Sequence, residues 1–489
     1  MKRQKKIEVY ASSDTEIVEM AALLFELDKY YEDVQLIFLA SDANTFGDSR
    51  LWQRLEDYKK SRNQKIVVYD MVNFVEFQPV KPGAQPVTPV DSFQSGSNEP
   101  LARFYYRFVQ KWWLQSKFFK PFLNLLLRTF YVCKLYILTY KFHLSRLKKN
   151  PCSIALLPDN AVGPIWPPLT KACKKLNIPI MIFPFTVCNQ EEAIQTLRNN
   201  EAVWFSSNPG ISKYFPKWRY TDGEIDILRV SFPHIVAHTI LNVVPPDPWH
   251  YLSGESDVIA VDSHATHQYF LNSGIEKAQM QVTGSLLQDT IAGIKASKDT
   301  KSAEFLNQSK LDIEKPIFLI GGCPNQFGSP TVYCEFNEMA EVSVVLRKAL
   351  DPLTEKFNIV IRPHPNFFEF GDLLASDKFF ITDRPTYELI PLSACYLAFA
   401  SATIRWALFS SVPVINYDIF NYDFSEYQDR PGVVAVNSFR GFSSAIDQVI
   451  NDELFLEKLS KDMDDEAHHW GLTGGRNIEI ITSIIDRLA

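Results

Sequence analysis

Two short stretches in the last third of the chain combine residue types that bind phosphate groups. Arg362 and His364 follow one apolar run of strand length, and Ser401 and Thr403 follow another. Arginine and histidine pair with phosphate charge, whereas hydroxyl residues at a helix start add N–H donors and the positive end of the helix dipole, about half an elementary charge. We therefore predict an anion site whose ligand is a nucleotide with one or two phosphates.

The position of these residues at strand ends supports the same prediction. In an open parallel sheet, ligands bind outside the carboxyl ends of the strands. Gly321 and Gly322 end a third apolar run and would let the backbone approach a phosphate, although a plain tight turn also explains them. Ordinary helix capping by Ser401, or pairing of Arg362 with a nearby carboxylate, are the alternatives without a ligand.

The elements that must position these residues follow from the pattern of apolar runs. At 489 residues the chain exceeds what one hydrophobic core usually supports, so two domains are expected. Strand-length runs alternate with helix-length patterns in both halves, which predicts an α/β protein with two doubly wound, Rossmann-like domains facing across a cleft. The expected organisation is an N-terminal domain over 1–295 with an insertion at 101–150, a linker over 296–315, a nucleotide-binding domain over 316–470 and a C-terminal helix over 471–489.

Several further stretches resemble a known group of enzymes. Asp262-Ser263 and Val282-Thr283-Gly284, then the run 387–392 and Pro413-Val414-Ile415, are similar to the GT-B group of nucleotide-sugar enzymes. The resemblance covers roughly 150–450. It is nearest to bacterial surface-polysaccharide proteins: capsule-type Kdo and sialic acid transferases, CDP-glycerol glycerophosphotransferases and non-hydrolysing UDP-N-acetylglucosamine 2-epimerases.

The resemblance implies a GT-B fold and a glycosyltransferase that needs no metal and no resident cofactor. By matching position, His364, Ser401 and Thr403 would hold the phosphates of a CMP-, CDP- or UDP-linked donor, and Glu388 would contact its sugar or base. Asp418, which follows the Pro413 strand, is a further candidate for that contact or a simple cap. A UDP-sugar 2-epimerase is the alternative activity. Trp406 stands where the group often has a glutamate, so a catalytically inactive binding or scaffold protein is a second alternative.

A transferase also needs a base that deprotonates the acceptor hydroxyl. Carboxylates at strand ends of the first domain are the candidates, and Asp14 and Asp159 fit this position, with helix capping as the alternative role. The expected acceptor is a cell-surface glycan or a lipid-linked glycan.

Residues 101–150 form a basic and aromatic segment. They contain eleven Lys and Arg, fourteen Phe, Tyr and Trp, and no Asp or Glu. Such segments lie on anionic membrane surfaces, and we assign this role to Trp112, Trp113, Lys117, Lys120, Arg128 and Lys134. Core helices or a homo-oligomer contact are the alternative, and nucleic acid binding is the least favoured use.

The cysteines and the N-terminus bear on the compartment. Seven cysteines without a CxxC pair indicate reduced core residues, and the basic first residues lead into a strand rather than a signal peptide. We therefore expect a cytoplasmic protein, peripheral on the inner face of the cell membrane.

Overall fold

The computed structural model describes two compact units. Unit 1 comprises residues 1–260, 273–281 and 481–489, and unit 2 comprises residues 261–272 and 282–480. The residues that the structure describes are 2–40, 65–71, 74–76, 119–184, 194, 197, 213–221, 226–323, 325–327, 333–364, 367, 369–422 and 425–489.

Unit 1 is built on a sheet of eight strands. Its spatial order is β10-β9-β6-β5-β1-β2-β3-β4. The strands from β9 to β3 pair in parallel with their neighbours, whereas β4 runs antiparallel to β3 at one edge. The chain order reverses between the neighbours β1 and β5. The strands are β1 Arg3–Ala11, β2 Tyr31–Ala40, β3 Lys65–Asp70, β4 Val75–Glu76, β5 Ile154–Leu157, β6 Ile180–Ile182, β9 Val258–Val261 and β10 Met280–Val282, with a separate hairpin of β7 Arg219–Thr221 and β8 Asp226–Leu228.

The helices of unit 1 include one long element, α2 (Phe119–Lys149), which packs on α3 (Trp166–Lys175) and α4 (Phe232–Leu241). Its inward residues Val132, Cys133 and Tyr136 form a buried cluster with Ala237 and Leu241 of α4. Among the described residues, no helix combines the length and the apolar character needed to cross a bilayer. The helices are α1 Asp14–Leu27, α2 Phe119–Lys149, α3 Trp166–Lys175 and α4 Phe232–Leu241.

Unit 2 is built on a parallel sheet of six strands in the order β13-β12-β11-β14-β15-β16. Here the chain order reverses between β11 and β14. Each strand lies within or close to an apolar run that predicts it, so the doubly wound fold class is confirmed. The strands are β11 Ile317–Gly321, β12 Asn358–Arg362, β13 Phe379–Ile381, β14 Cys395–Ala398, β15 Val414–Tyr417 and β16 Val433–Val436.

Helices cover both faces of this second sheet. Residues 296–315, which the sequence predicts as a linker, contain helix α7, and its Phe305 and Leu306 are buried in the core of unit 2. The helices that follow β9 are α5 His264–Asn272, α6 Leu286–Ala296, α7 Lys298–Ser309, α8 Met339–Leu350, α9 Glu369–Leu374, α10 Thr386–Leu389, α11 Ile404–Ser410, α12 Phe439–Asn451, α13 Phe455–Asp464, α14 Ala467–Trp470 and α15 Asn477–Leu488.

Alternate residues of the unit 2 strands supply two separate hydrophobic cores. Phe318 and Ile320 pack on one face with residues of α8 and α12, whereas Leu319 and Tyr396 pack on the other with α6, α7 and α11. This alternation follows from the two-residue period of a strand. Both faces of the sheet are therefore buried, and the polar residues that follow the strands collect at the carboxyl ends of the strands.

Candidate functional site

The predicted phosphate-binding residues of unit 2 lie at one point of its sheet. β11 lies between β12 and β14, and Gly321 is the register partner of Arg362. The reversal of strand order between β11 and β14 is the topological switch point, where open α/β sheets form a crevice for ligands. The segments that leave these three strands carry Gly322, His364 and Ser401.

A chain of hydroxyl groups runs along one side of this point. The Tyr396 hydroxyl lies 2.6 Å from Thr403 Oγ1, which lies 2.8 Å from Ser401 Oγ. Tyr396 is almost fully buried, and burial raises its pKa to about 12. A Cβ on Gly321 would lie 2.5 Å from the Tyr396 hydroxyl. The absence of a side chain at Gly321 therefore gives Tyr396 the room to orient Thr403 and Ser401.

Gly322 brings the histidine segment to the same place. A Cβ on Gly322 would lie 2.0 Å from the backbone nitrogen of His364 and 2.6 Å from its Cα. These distances are far below any normal contact, so only glycine fits where the chain after β11 crosses the chain after β12. Gly321 contacts the hydroxyl chain and Gly322 contacts His364, so consecutive residues touch both parts of the predicted site.

Arg362 and His364 are half-buried and lie within electrostatic reach of each other. Burial, and then the charge of Arg362, lower the pKa of His364 below its ordinary value, so the imidazole is neutral at pH 7. Burial also lowers the pKa of Arg362, an effect that Asp383 opposes. Nη1 of Arg362 donates to the Pro363 carbonyl over 2.6 Å, whereas its buried Nε has no hydrogen-bond partner within the described part of the chain. An anion bound beside the imidazole would favour a protonated His364.

The start of α11 differs from the expected helix N-terminus. The helix begins at Ile404 and has seven residues, and the amides of Ile404 and Arg405 donate to the carbonyls of Ser401 and Ala402. These N–H groups are therefore used within the turn, and side-chain hydroxyls are the main donors that the segment offers to a ligand.

The residue before Ser401, Ala400, has a strained backbone conformation. Ala400 has a φ of +48°, a conformation that costs a residue with a Cβ about 1 kcal/mol, and its amide donates to Asn416 Oδ1 over 2.9 Å. Asn416 is buried on β15, so the neighbouring strand holds the turn that aims Ser401 and Thr403. Strained residues of this kind occur often at ligand sites.

The two residues expected to contact donor sugar or base have structural partners. Glu388 on α10 accepts a hydrogen bond from Nε of Arg384 over 2.9 Å. Asp418 accepts from the amide of Tyr422 over 3.0 Å, which is a capping arrangement. Trp406 packs edge-on against Tyr387, with ring centres 6.1 Å apart, so an aromatic contact occupies the position where the resembling group often has a glutamate.

Unit 1 places a buried carboxyl at its own switch point. Asp159 follows β5, which neighbours β1 at the reversal of strand order. Its side chain is almost fully buried and accepts from the amide of Ala161 over 2.9 Å. Burial raises the pKa of Asp159 to about 7, and the nearby Glu16 adds to this increase. A carboxyl with a pKa near neutrality can take up and release a proton under ordinary conditions.

Asp14, the other predicted carboxylate, is the first residue of α1, and its side chain lies outside the described part of the chain. Glu16 follows it in the first turn. The carboxylate of Glu16 accepts from the amides of Ser12 and Ser13 in a capping box. The sequence Ser-x-x-Glu carried the signal for this role.

The basic and aromatic segment is described only from residue 119. Trp112, Trp113 and Lys117 lie outside the described residues, as does the side chain of Lys120. Arg128 is exposed on α2, and Lys134 is partly buried. The inward face of α2 is core, in line with one of the alternative interpretations of its aromatic residues.

Sequence reasoning missed four residues that shape these sites: Glu16, Tyr396, Ala400 and Asn416. A tyrosine inside a buried strand signals a hydroxyl that needs a partner, so Tyr396 could have been found. Nothing in the sequence marks the positive φ of Ala400. Asn416 could have been suspected because a buried amide side chain must bond to something.

Comparison with known proteins identifies the fold. No protein-family model and no curated protein sequence matches the chain. Among solved structures, UDP-GlcNAc 2-epimerase from Neisseria meningitidis bound to UDP-GlcNAc has a TM-score of 0.50 and 12% identity, covering 98% of this chain and 100% of that one. The S. aureus MnaA-UDP co-structure has a TM-score of 0.50 and 12% identity, covering 99% and 97%. The glycotransferase of kitacinnamycin has a TM-score of 0.51 and 10% identity, covering 99% of each chain. The similarity includes both units, and it shows that the chain has the GT-B fold.

Proposed function

We propose that the protein is a glycosyltransferase that moves a sugar or sugar-like unit from a nucleotide-activated donor to a cell-surface glycan or lipid-linked acceptor. The observation that carries the proposal is the convergence of Gly321-Gly322, the His364 segment and the Ser401–Thr403 hydroxyls at the switch point of unit 2. Two of the similar structures contain UDP or UDP-GlcNAc. A CMP-, CDP- or UDP-linked donor is therefore the proposed co-substrate.

The phosphate contacts follow from the groups at this point. Arg362 and His364 supply positive charge, while Ser401 and Thr403 supply hydroxyl donors whose positions are fixed by Tyr396. The donor phosphates gain negative charge as the sugar leaves, so groups fixed before the reaction stabilise the transition state.

The reaction requires one proton transfer. The acceptor hydroxyl oxygen forms a bond to the anomeric carbon, and the bond from that carbon to the donor phosphate oxygen breaks. We assign the released proton to the carboxylate of Asp159, whose pKa near 7 suits a general base. Asp14 is the alternative base, and Glu388 and Asp418 are the proposed contacts of the donor sugar or base.

Because Arg, His and hydroxyl groups stabilise the leaving phosphate, transfer is expected to continue in excess chelator. Complete loss of activity would contradict metal independence.

The proposal includes a location. A lipid-linked acceptor would bring the enzyme to the cytoplasmic face of the cell membrane, and the basic segment 101–150 supplies the charge for an anionic surface.

A binding screen followed by a transfer assay tests the function. The free protein is titrated with CMP, CDP, UDP and GDP by thermal shift, where a ligand at a hundred times its dissociation constant adds about 2.7 kcal/mol of stability. His364→Ala and Ser401→Ala should each weaken binding of the preferred nucleotide by about tenfold or more, since hydrogen bonds to charged groups contribute about 1.5 to 3 kcal/mol. His468→Ala, at an exposed position of α14, is the matched control.

Each outcome separates the proposal from its alternatives. Transfer of labelled sugar to a glycan primer supports the transferase. Conversion of a UDP-sugar to its 2-epimer without an acceptor would replace it with the epimerase alternative. Nucleotide binding without either reaction would favour an inactive binding protein, and unchanged binding in both site variants would contradict the location of the site.

A further inference from the structure

The outward face of helix α2 exposes large apolar side chains. Leu126, Phe130 and Tyr131 are 51%, 56% and 59% exposed, and Leu138 is 37% exposed. Phe130, Tyr131 and Leu138 follow Leu126 by four, five and twelve residues, which puts all four side chains on one broad face of the helix. The buried residues Val132, Tyr136 and Thr139 lie on the opposite side. The exposed side chains therefore stay uncovered after α2 has packed on its neighbours in the part of the chain that the structure describes.

Lysines continue the same face toward the C-terminal end of the helix. Lys141, Lys148 and Lys149 are exposed, and Phe119–Lys149 contains no acidic residue. The outward face is thus apolar in its first half and positively charged in its second half. An isolated apolar patch does not identify a partner, but continuous positive charge beside it favours an anionic one.

We propose that the outward face of α2 is a docking surface for an anionic lipid bilayer, with Leu126, Phe130, Tyr131 and Leu138 inserted at the interface and Lys141 and Lys148 contacting headgroups. Helices with aromatic and aliphatic residues beside lysines lie in the interface plane in this way, and long lysine side chains extend toward the headgroups. At about 1.5 Å per residue, the face from Leu126 to Lys149 is about 35 Å long. The inference rests on the proposed peripheral location and not on the proposed reaction.

Flotation of the full chain with vesicles tests this surface without any substrate. Vesicles of phosphatidylcholine with 30% phosphatidylglycerol (about one anionic lipid in three) should carry the protein upward, and pure phosphatidylcholine vesicles should carry much less. Binding to anionic vesicles should fall in about 0.5 M salt because the charge contribution is screened. Absence of binding to the anionic vesicles would overturn the inference, whether or not the protein proves to be a transferase.

Two pairs of variants locate the contact. Lys141→Glu with Lys148→Glu should weaken binding to anionic vesicles by about tenfold or more. Phe130→Ser with Tyr131→Ser should weaken it by a similar factor, and this loss of affinity should depend less on the salt concentration. The matched controls lie in unit 2: Lys458→Glu with Lys461→Glu on α13, and Val344→Ser with Leu454→Ser, all at exposed positions. Melting temperatures of all four proteins confirm that each is folded.

The alternative occupants give different results. If the two control pairs weaken vesicle binding as much as the α2 pairs, the contact is elsewhere and the inference is wrong. If the native protein is an oligomer that Phe130→Ser with Tyr131→Ser dissociates while vesicle binding is unchanged, the face is covered by a second copy and not by lipid.

Discussion

His364 shows how burial and charge at one residue make ligand binding depend on pH. In the empty site, burial and then the charge of Arg362 lower the pKa of the His364 imidazole, whereas a bound phosphate would raise that pKa. Binding therefore takes up a proton, and affinity should increase as pH falls.

The first prediction concerns this proton uptake. For a nucleotide sugar, whose pyrophosphate does not titrate in this range, we expect the dissociation constant to fall by about three- to tenfold between pH 8 and pH 6. Calorimetric titration at several pH values measures the slope. His364→Gln should bind more weakly and with a flatter slope, and the same slope in the variant would show that another group titrates.

Asp159 combines a cost in stability with the proposed activity. Its pKa is near 7 in the folded protein, above its ordinary value of 3.8, so the folded state holds a proton that the unfolded chain has released. This contribution to stability is fully present below pH 3.8 and is lost progressively as pH rises from about 3.8 to about 7.

The second prediction follows from that sign. Asp159→Asn should raise the free energy of unfolding by about 2 to 3 kcal/mol more at pH 8 than at pH 5, because the amide removes a buried carboxylate and can still accept from Ala161. The same change should reduce kcat/KM of sugar transfer by about a hundredfold or more. Asp247→Asn is the control, since Asp247 accepts from the amide of Trp249 in the same kind of turn. A fully active Asp159→Asn would remove this residue from the mechanism.

At the scale of elements, the parallel sheet of unit 2 was predictable because buried strands are short apolar runs. The runs at 358–362 and 395–399 became β12 and β14, and Gly321 was recognised as the end of β11. What the sequence did not predict was how the strand ends contact one another. The contact of Gly322 with His364, and of Gly321 with the Tyr396 hydroxyl, depends on strand order, which single runs do not encode.

The third prediction tests one of these contacts by a double-mutant cycle. Gly321→Ala should destabilise the protein by about 1 to 3 kcal/mol because its Cβ would overlap the Tyr396 hydroxyl, and it should weaken nucleotide binding by displacing Thr403. Tyr396→Phe removes the overlapping oxygen at a cost of about 1 kcal/mol. In the Tyr396→Phe background, Gly321→Ala should therefore cost less, with a coupling energy of about 0.5 to 3 kcal/mol in urea unfolding. Additive effects would contradict the contact.

At the scale of the whole molecule, buried imidazoles are unevenly distributed. His143, His238 and His250 of unit 1 are almost fully buried, and burial is the main cause that lowers the pKa of each, to about 4 for His238 and His250. Neither ring nitrogen of His143 has a hydrogen-bond partner within the described part of the chain. In unit 2, His364 and His469 are only partly buried.

The fourth prediction is that acid destabilises unit 1 before unit 2. Each buried histidine stays neutral in the folded protein while the unfolded chain takes up a proton below pH 6.5, so each lowers the free energy of unfolding by about 2 kcal/mol between pH 7 and pH 5. Protonation of Asp159 over the same pH range stabilises the folded protein, and it offsets the destabilisation that about one of the three histidines causes. Hydrogen exchange at pH 5 and pH 7.5 should show β1, β5 and α2 losing protection before β11 and β14.

His143→Leu should reduce the acid sensitivity of unit 1, because it removes one site of proton uptake, whereas His468→Leu at an exposed position should not. Equal loss of protection in the two sheets would mean that groups other than these histidines control acid unfolding.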